Sequence, residues 1–318
     1  MSITVVGSVA YDTVSTLYGK SERQLGGSAI YFSLAASKFT SVLPVGVYGE
    51  DFSDKDIEML QNNFVDTSNL LKEKGLTFFW EGKYDNNNMN NRDTITTELN
   101  VFENFNPKLT DLAKKSDIVF LANINPELQL AVLDITKTYN QKSLVGLDTM
   151  DLWINNSNEK LQNVIKKSDV IMIDQSEARM ITSENNLKDA GNNIMEMGAK
   201  NVIIKKGEHG VLVFTPGNQF ALPGFLTNEV KDPTGAGDSF AGAFFGFLDC
   251  VRSYDSKNIF LASVFGTIVA SYTVENFGVK SLVGLNIDLI YQRYVSYLKL
   301  IGYEHIFNEN QFKDYLNL

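Results

Sequence analysis

Short runs of aliphatic and β-branched residues alternate along the chain with longer stretches of helical periodicity. The runs at 3–7, 42–47, 118–122, 144–148, 170–174, 202–206 and 211–214 predict strands. Several are apolar at successive positions, the pattern of strands buried on both faces of a parallel sheet. Helical spacing of apolar residues predicts helices over 28–38, 54–62, 126–138, 158–167, 176–182, 187–197, 236–250 and 287–300. Strands and helices in alternation argue for an α/β fold, an open and mostly parallel sheet flanked by helices on both faces.

One stretch breaks this rhythm. Over 76–105 the chain reads TFFWEGKY, then the Asn-rich DNNNMNNRD, then TITTELNVF. Two extended arms around a turn-prone tip predict an antiparallel hairpin inserted into the α/β frame. The segment 11–25 is expected to add a strand to the same small sheet. No repeat or long linker interrupts the rest, so residues 1–318 are expected to form a single α/β domain with this sheet as an insertion.

Composition narrows the partners. With 38 acidic and 28 basic residues the formal charge is −10, a poor match for nucleic acid or an anionic membrane surface. A polyanionic ligand would have to be held by local amides, a cation or both. Cys250 is the only cysteine, so no internal disulfide can form and a reducing cytoplasm is the expected compartment. The start, MSITVVGSVAYD, reads as a first strand rather than a signal peptide. The apolar run at 259–274 is dotted with Ser, Thr and Gly and reads as a buried helix, not a bilayer span. His209 and His305 lack metal-ligand spacing.

The candidate chemistry lies at 232–240, DPTGAGDSF, followed by the small-residue helix AGAFFGF. Gly235 and Gly237 sit where that helix begins. Glycines there let the backbone approach a ligand, and the free amides and positive dipole end favour an anion. Asp238 is then within one turn of the anion hole. Amides that cradle a transferring phosphoryl group beside a carboxylate that accepts a hydroxyl proton are the minimum equipment of a kinase. No G-x-x-x-x-G-K-[ST] is present, which argues against a P-loop ATPase.

This stretch resembles the signature of the PfkB (ribokinase-like) carbohydrate kinases, and the resemblance spans nearly the whole chain. Gly26-Gly27-Ser28 opening SAIYFSLAASKF, VLPVGVYGEDF at 42–52, IDQSEARMIT at 173–182 and VIIKKGEHGVLVF at 202–214 are similar to further family segments, in family order. The resemblance implies a ribokinase-like fold whose small β-sheet is a lid over the substrate, formed mainly by 76–105 with a contribution from 11–25. It implies ATP-dependent phosphorylation of a sugar hydroxyl. Asp238 is then the general base, with Gly235, Ala236 and Gly237 around the transferring phosphoryl and Thr234 on the nucleotide side.

By the same resemblance, Asp12, Gly26 and Gly27 bind the sugar, and Trp80 and Asn100 of the lid are candidate substrate contacts. Lys205 and Gly207 face the nucleotide. Glu177 fits the family's metal-linked N-x-x-E element, while Asp174 stands where the usual residue is Asn. Carboxylate oxygens suit Mg²⁺ or its water shell, but the amide's donor function is lost. Segment 258–277 resembles the adenine-side helix and loop. The resemblance also admits a monovalent cation such as K⁺ near the signature and a homodimer paired through the lid. Two alternatives stay open. One is a nucleoside kinase of the same superfamily, with Tyr11, Tyr31, Phe78 and Trp80 stacking a base. The other is a catalytically idle regulatory protein on this fold. An acidic or phosphorylated acceptor would need a cation, for which Arg23, Lys83 and Arg92 are candidates.

Overall fold

The computed structural model describes residues 3–303 and 309–316, so His305 lies outside the described residues. Its strands are β1 (Ile3–Val6), β2 (Ala10–Thr16), β3 (Gly19–Gly26), β4 (Val42–Tyr48), β5 (Leu70–Lys72), β6 (Phe78–Tyr84) and β7 (Arg92–Glu98). They continue with β8 (Ile118–Leu121), β9 (Leu144–Asp148), β10 (Val170–Asp174), β11 (Asn201–Lys205), β12 (Val211–Thr215) and β13 (Asn218–Leu222). Nine of them form one sheet in the order β13-β12-β11-β10-β9-β8-β1-β4-β5. From β11 to β5 every pairing is parallel, and only β12 and β13 run antiparallel at one edge.

The unbroken apolar runs arise because both faces of this sheet are covered. Ile3, Val5, Ile118, Phe120, Val170 and Met172 point into one buried cluster. Their neighbours Val6, Val119, Leu121, Ile171 and Ile173 point into the other. Period-two alternation sends successive side chains to opposite faces, so each face needs its own layer of helices. The first layer holds the helices Ser28–Ala36, Ala236–Val251, Ser256–Thr273 and Ile287–Leu300. The second holds Pro126–Tyr139, Asn158–Lys167 and Leu187–Glu196. The 259–274 run is a buried helix, as its interrupted apolarity implied, and no helix among the described residues is long and apolar enough to cross a membrane.

The hairpin expectation also holds. A second sheet of four strands, in the order β3-β2-β6-β7, stands apart from the main one. The 11–25 segment contributes two strands rather than one, β2 and β3. β2 pairs with β6 in parallel and joins the hairpin to them. β5 and β13 escaped the sequence reading. The first is only three residues long and the second, NQFAL, is a short and mostly exposed edge strand.

Helix Ser28–Ala36 and helix Ala236–Val251 pack unusually closely. A Cβ on Gly242 would overlap the Phe32 carbonyl oxygen and press on Ala35, and one on Gly246 would meet the Phe39 ring at 3.0 Å. Glycine at both positions lets the backbones touch, and Phe32, Phe120 and Phe245 fill the space beneath, with Phe32 and Phe120 stacked at 4.7 Å. Gly242→Ala should therefore destabilise the protein by about 1–3 kcal/mol through overpacking, despite alanine's better helix propensity. Chemical denaturation of the variant checks this; an unchanged or raised midpoint would mean the helices can part without cost.

Candidate active site

Each of those two helices begins at a left-handed glycine. Gly27 caps the first with φ 95°, and a side chain there would overlap the Ser8 carbonyl oxygen. Ser8 and Ser28 lock the turn reciprocally, Ser8 N–H donating to Ser28 Oγ at 3.1 Å and Ser28 N–H to Ser8 Oγ at 3.0 Å. Gly26 is glycine for another reason: a Cβ would overlap the carboxylate of Asp12, which is 4% exposed. Gly235 caps the second helix with φ 74°, and here a Cβ would run into the ring of Tyr31, from the first helix. No side chain caps this helix start; the Ala236 N–H donates to the Pro233 carbonyl at 3.2 Å, which leaves the N–H groups of Gly235 and Gly237 to a ligand.

Asp232 holds the loop leading to that cap. Its Oδ1 accepts the Thr234 N–H at 2.9 Å, while its Oδ2 accepts the Gly278 N–H at 3.0 Å and the Gln24 side-chain amide at 3.1 Å. Asp238 lies in the first helical turn. Burial pushes its carboxyl up to about 7, with Asp148 adding to the effect and Lys205 and Arg92 opposing it. Asp12 is pushed to about 8 by burial and by Asp232 and Asp238, against the Gly27 N–H and Arg92.

A second group gathers at the carboxyl ends of β9, β10 and β11, the end of a parallel sheet where ligands bind. Lys205 Nζ lies 3.5 Å from Asp148 Oδ2, and a Cβ on Gly237 would meet that same Nζ at 3.1 Å. Burial works against the Lys205 charge, yet Asp148, Glu177, Asp238 and Asp174 together raise its proton affinity above the usual lysine value. Asp174 caps the helix Gln175–Thr182, its Oδ1 accepting the N–H groups of Ser176 (2.6 Å) and Glu177 (2.8 Å). Glu177 returns the bond, its Oε2 accepting the Asp174 N–H at 2.7 Å. Burial, then Asp148 and Asp174, push Glu177 up to about 8. No group of three or more His, Cys, Asp or Glu arranged as a metal cage occurs among the described residues.

The small sheet closes over both groups. Tyr84 of β6 shares a hydrogen bond with Thr234 across 3.1 Å, joining this sheet to the Gly235 loop. Trp80 lies flat over Gly82 and donates from Nε1 to Thr94 Oγ1 at 3.3 Å. At the hinge, Asp51 Oδ1 accepts both the N–H and the hydroxyl of Thr77 at 2.7 Å, while Asp51 Oδ2 pairs with Arg23 at 2.7 Å. At the tip, Asn90 presses on Gly207 and donates to Glu208 at 3.3 Å.

A glycine-capped helix start thus carries a half-buried, proton-avid carboxylate, and the smaller sheet is tied to the loop before it. The family model for pfkB family carbohydrate kinases matches residues 2–283. The chain belongs to this family. Cytidine kinase of Thermococcus kodakarensis is 26% identical over 259 residues, covering 77% of this chain and 87% of that protein. Deoxyribokinase of Salmonella typhimurium is 24% identical over 270 residues, 80% of this chain and 83% of the relative. Among solved structures, the nucleoside kinase of Methanocaldococcus jannaschii superposes with a TM-score of 0.74 at 23% identity, covering 93% of this chain and 98% of that one. That of Burkholderia thailandensis in complex with inosine gives 0.78 at 15% identity, covering 95% and 100%. At such identities these structures speak for the fold, a ribokinase-like α/β sheet with a smaller separate sheet.

Within this pfkB-family frame, Asp12, Gly26, Gly27, Thr234, Gly235, Ala236, Gly237 and Asp238 converge on one side of the Ser28–Ala36 and Ala236–Val251 helix starts. Lys205, Asp174 and Glu177 stand beside them. Asn100 lies at the hinge, with φ 49° and its amide donating to the Thr77 carbonyl at 3.0 Å. Gly207 sits beneath the lid tip. The sequence reading gave no role to Asp148 or Asp232. Asp148 ends a buried strand one sheet position from Asp174, and that parallel placement of two strand-terminal carboxylates was a usable signal.

Asp12, Glu177 and Asp238 hold protons in the folded protein at pH values where the unfolded chain has lost them. The native state then binds more protons than the unfolded one, so stability falls as pH rises. The ligand-free protein should therefore melt at progressively lower temperature from about pH 5 to about pH 8. Thermal melts across that window test it; a flat or rising profile would mean these carboxyls ionise freely in the fold.

Proposed function

We propose that this pfkB-family kinase transfers the γ-phosphoryl group of ATP to a hydroxyl of a sugar, with Asp238 as the general base. The observation that carries this reading is the position of Asp238: a half-buried carboxylate with a raised proton affinity, in the first turn of a helix whose Gly235 and Gly237 amides are unengaged, with its charge felt by both Asp12 and Lys205. Asp12 accepts hydrogen bonds from acceptor hydroxyls and orients the acceptor. Asp238 takes the proton from the attacking hydroxyl as its oxygen bonds to phosphorus, and the bond from phosphorus to the ADP oxygen breaks. The Gly235 and Gly237 amides and the Lys205 ammonium offset the charge of the phosphoryl group in flight. The lid, held by Tyr84 on Thr234, excludes water that would compete as acceptor.

Mg²⁺ suits the donor set near Lys205. Asp174 and Glu177 each spend one oxygen on the capping box, leaving one each, and the raised proton affinity of Glu177 marks negative charge that a cation would relieve. Two outward carboxylate oxygens without a third preformed ligand fit a hydrated ion better than a fully dehydrated one. When bound, the ion would neutralise ATP phosphate charge.

A nucleoside is the second reading for the acceptor. It is favoured by the cytidine kinase relative that spans most of this chain and by Trp80, whose indole gives the lid a stacking surface. An idle protein is disfavoured, since the glycines and the base are all present. ADP release measured with Mg²⁺-ATP against sugars, sugar acids, phosphosugars and nucleosides separates these readings; silence across the panel would count against the kinase reading itself.

Asp238→Asn keeps the shape and removes the base, so kcat should fall by roughly 10²–10⁴ while the fold is retained. Turnover near the wild-type rate would exclude the assigned role. Asp238 must be ionised to accept a proton, so kcat/KM should rise with pH along an acid limb centred near its value of about 7 and flatten above it. A pH profile showing no such limb down to about pH 5 would place the proton elsewhere.

A further inference from the structure

Among the described residues two cations of the small sheet, Lys83 and Arg92, make no ion pair, and strand register separates them. In the β6–β7 ladder Arg92 stands opposite Tyr84, and Thr94 opposite Gly82. Directly opposed residues of an antiparallel pair share a face. Tyr84 reaches Thr234, so the face bearing Tyr84, Gly82, Thr94 and Arg92 is the one turned to the site. Lys83, paired with Asp93, belongs to the other face. The Arg92 guanidinium lies 5.8 Å from the centre of the Trp80 ring, and its charge acts on Tyr84, Asp12 and Asp238.

The other cations near the cleft are committed. Arg23 pairs with Asp51 at 2.7 Å and lies over the Tyr11 ring at 4.8 Å. Lys20 pairs with Glu81 at 3.0 Å, and Lys205 with Asp148. Among the described residues Arg92 makes no ion pair, although the cleft it faces holds Asp12 and Asp238. A guanidinium near two carboxylates that bonds to neither leaves room for a ligand between them. Asp12 is itself part of the lid sheet, on β2 beside Trp80 of β6, so Arg92 and Asp12 reach the cleft from the same sheet. The nucleotide-side groups, Lys205 and the Gly235 helix start, belong to the main body.

We propose that Arg92 binds an oxyanion on the acceptor, so that the preferred substrate is an anionic sugar, a sugar acid or a phosphosugar, rather than a neutral one. This rests on the kinase reading above and narrows its acceptor. A planar guanidinium matches a carboxylate or phosphate with two parallel hydrogen bonds, a geometry that neutral hydroxyls do not use fully. Asp12 takes the hydroxyls, Arg92 the anion, and Asp238 the hydroxyl that reacts.

The test compares matched pairs by ADP release: glucose with gluconate, ribose with ribose 5-phosphate, fructose with fructose 6-phosphate. The gluconate and phosphate arms distinguish a carboxylate from a phosphate. In the wild type, kcat/KM for an anionic member should exceed that of its neutral partner by roughly tenfold or more. Arg92→Gln should cut that ratio by roughly tenfold or more, chiefly through KM, with Arg92→Lys recovering part of it. Lys83→Gln, on the opposite face, is the control that leaves the ratio in place, and thermal melting checks that each variant folds. A wild-type preference for neutral acceptors would overturn the inference and leave the kinase reading standing. An Arg92→Gln loss confined to kcat and equal for both members of a pair would also overturn it, moving the guanidinium to the transferring phosphoryl. Absence of turnover with every acceptor would remove both readings.

Discussion

The site depends on how closely two helices approach. Ser28–Ala36 and Ala236–Val251 touch backbone to backbone because Gly242 and Gly246 offer no side chain where Phe32, Ala35 and Phe39 lie. That contact brings the start of the second helix against the first turn of the first, with the Tyr31 ring under Gly235. The Gly26-Gly27 turn, against which the Asp12 carboxylate packs, and the turn that presents Asp238 are thereby tied together. Interiors at crystal-like density transmit small displacements, and transfer geometry tolerates little error. A larger residue at the contact would move the proposed acceptor carboxylate relative to the base.

Around that unit the fold concentrates negative charge at a cost. Asp12, Asp148, Asp174, Glu177, Asp232 and Asp238 share a region with Lys205 and Arg92, and burial raises the proton affinity of most of the carboxyls. Buried charge without full compensation is destabilising. Here it is offset by two apolar layers that bury both faces of the sheet, and the uncompensated charge is what makes the region receptive to cations and polyhydroxyl ligands. The sheet's parallel run explains the convergence, since Asp148, Asp174 and Lys205 are each the last residue of its strand at the same end.

Much of this was legible along the chain. Continuous apolar runs announced strands covered on both faces, and the helix starts at Ser28 and Ala236 followed from glycines preceding small-residue periodic segments. The hairpin stood out because its aromatic and β-branched arms flank an Asn-rich tip with no helical pattern. The signature DPTGAGDSF was legible because the proposed anion hole and the proposed base are neighbours in sequence. Asn100 shows the limit: that its backbone is left-handed and that its amide donates to the Thr77 carbonyl just before β6 could not be read from the sequence.

The sequence by itself determined the α/β class, the small inserted sheet, the glycine-led helix starts and the family, since each is written in local pattern or contiguous motif. Only the tertiary structure decided which distant charges meet. Asp148 finds Lys205 across a separation of 57 residues, and Gln24 finds Asp232 across 208. Among Arg23, Lys83 and Arg92, strand register and the Asp51 ion pair left one guanidinium facing the cleft. The physical reason is that side-chain direction in a sheet alternates with every residue, so which face looks at the site is settled by pairing between strands, and pairing is a long-range property of the fold.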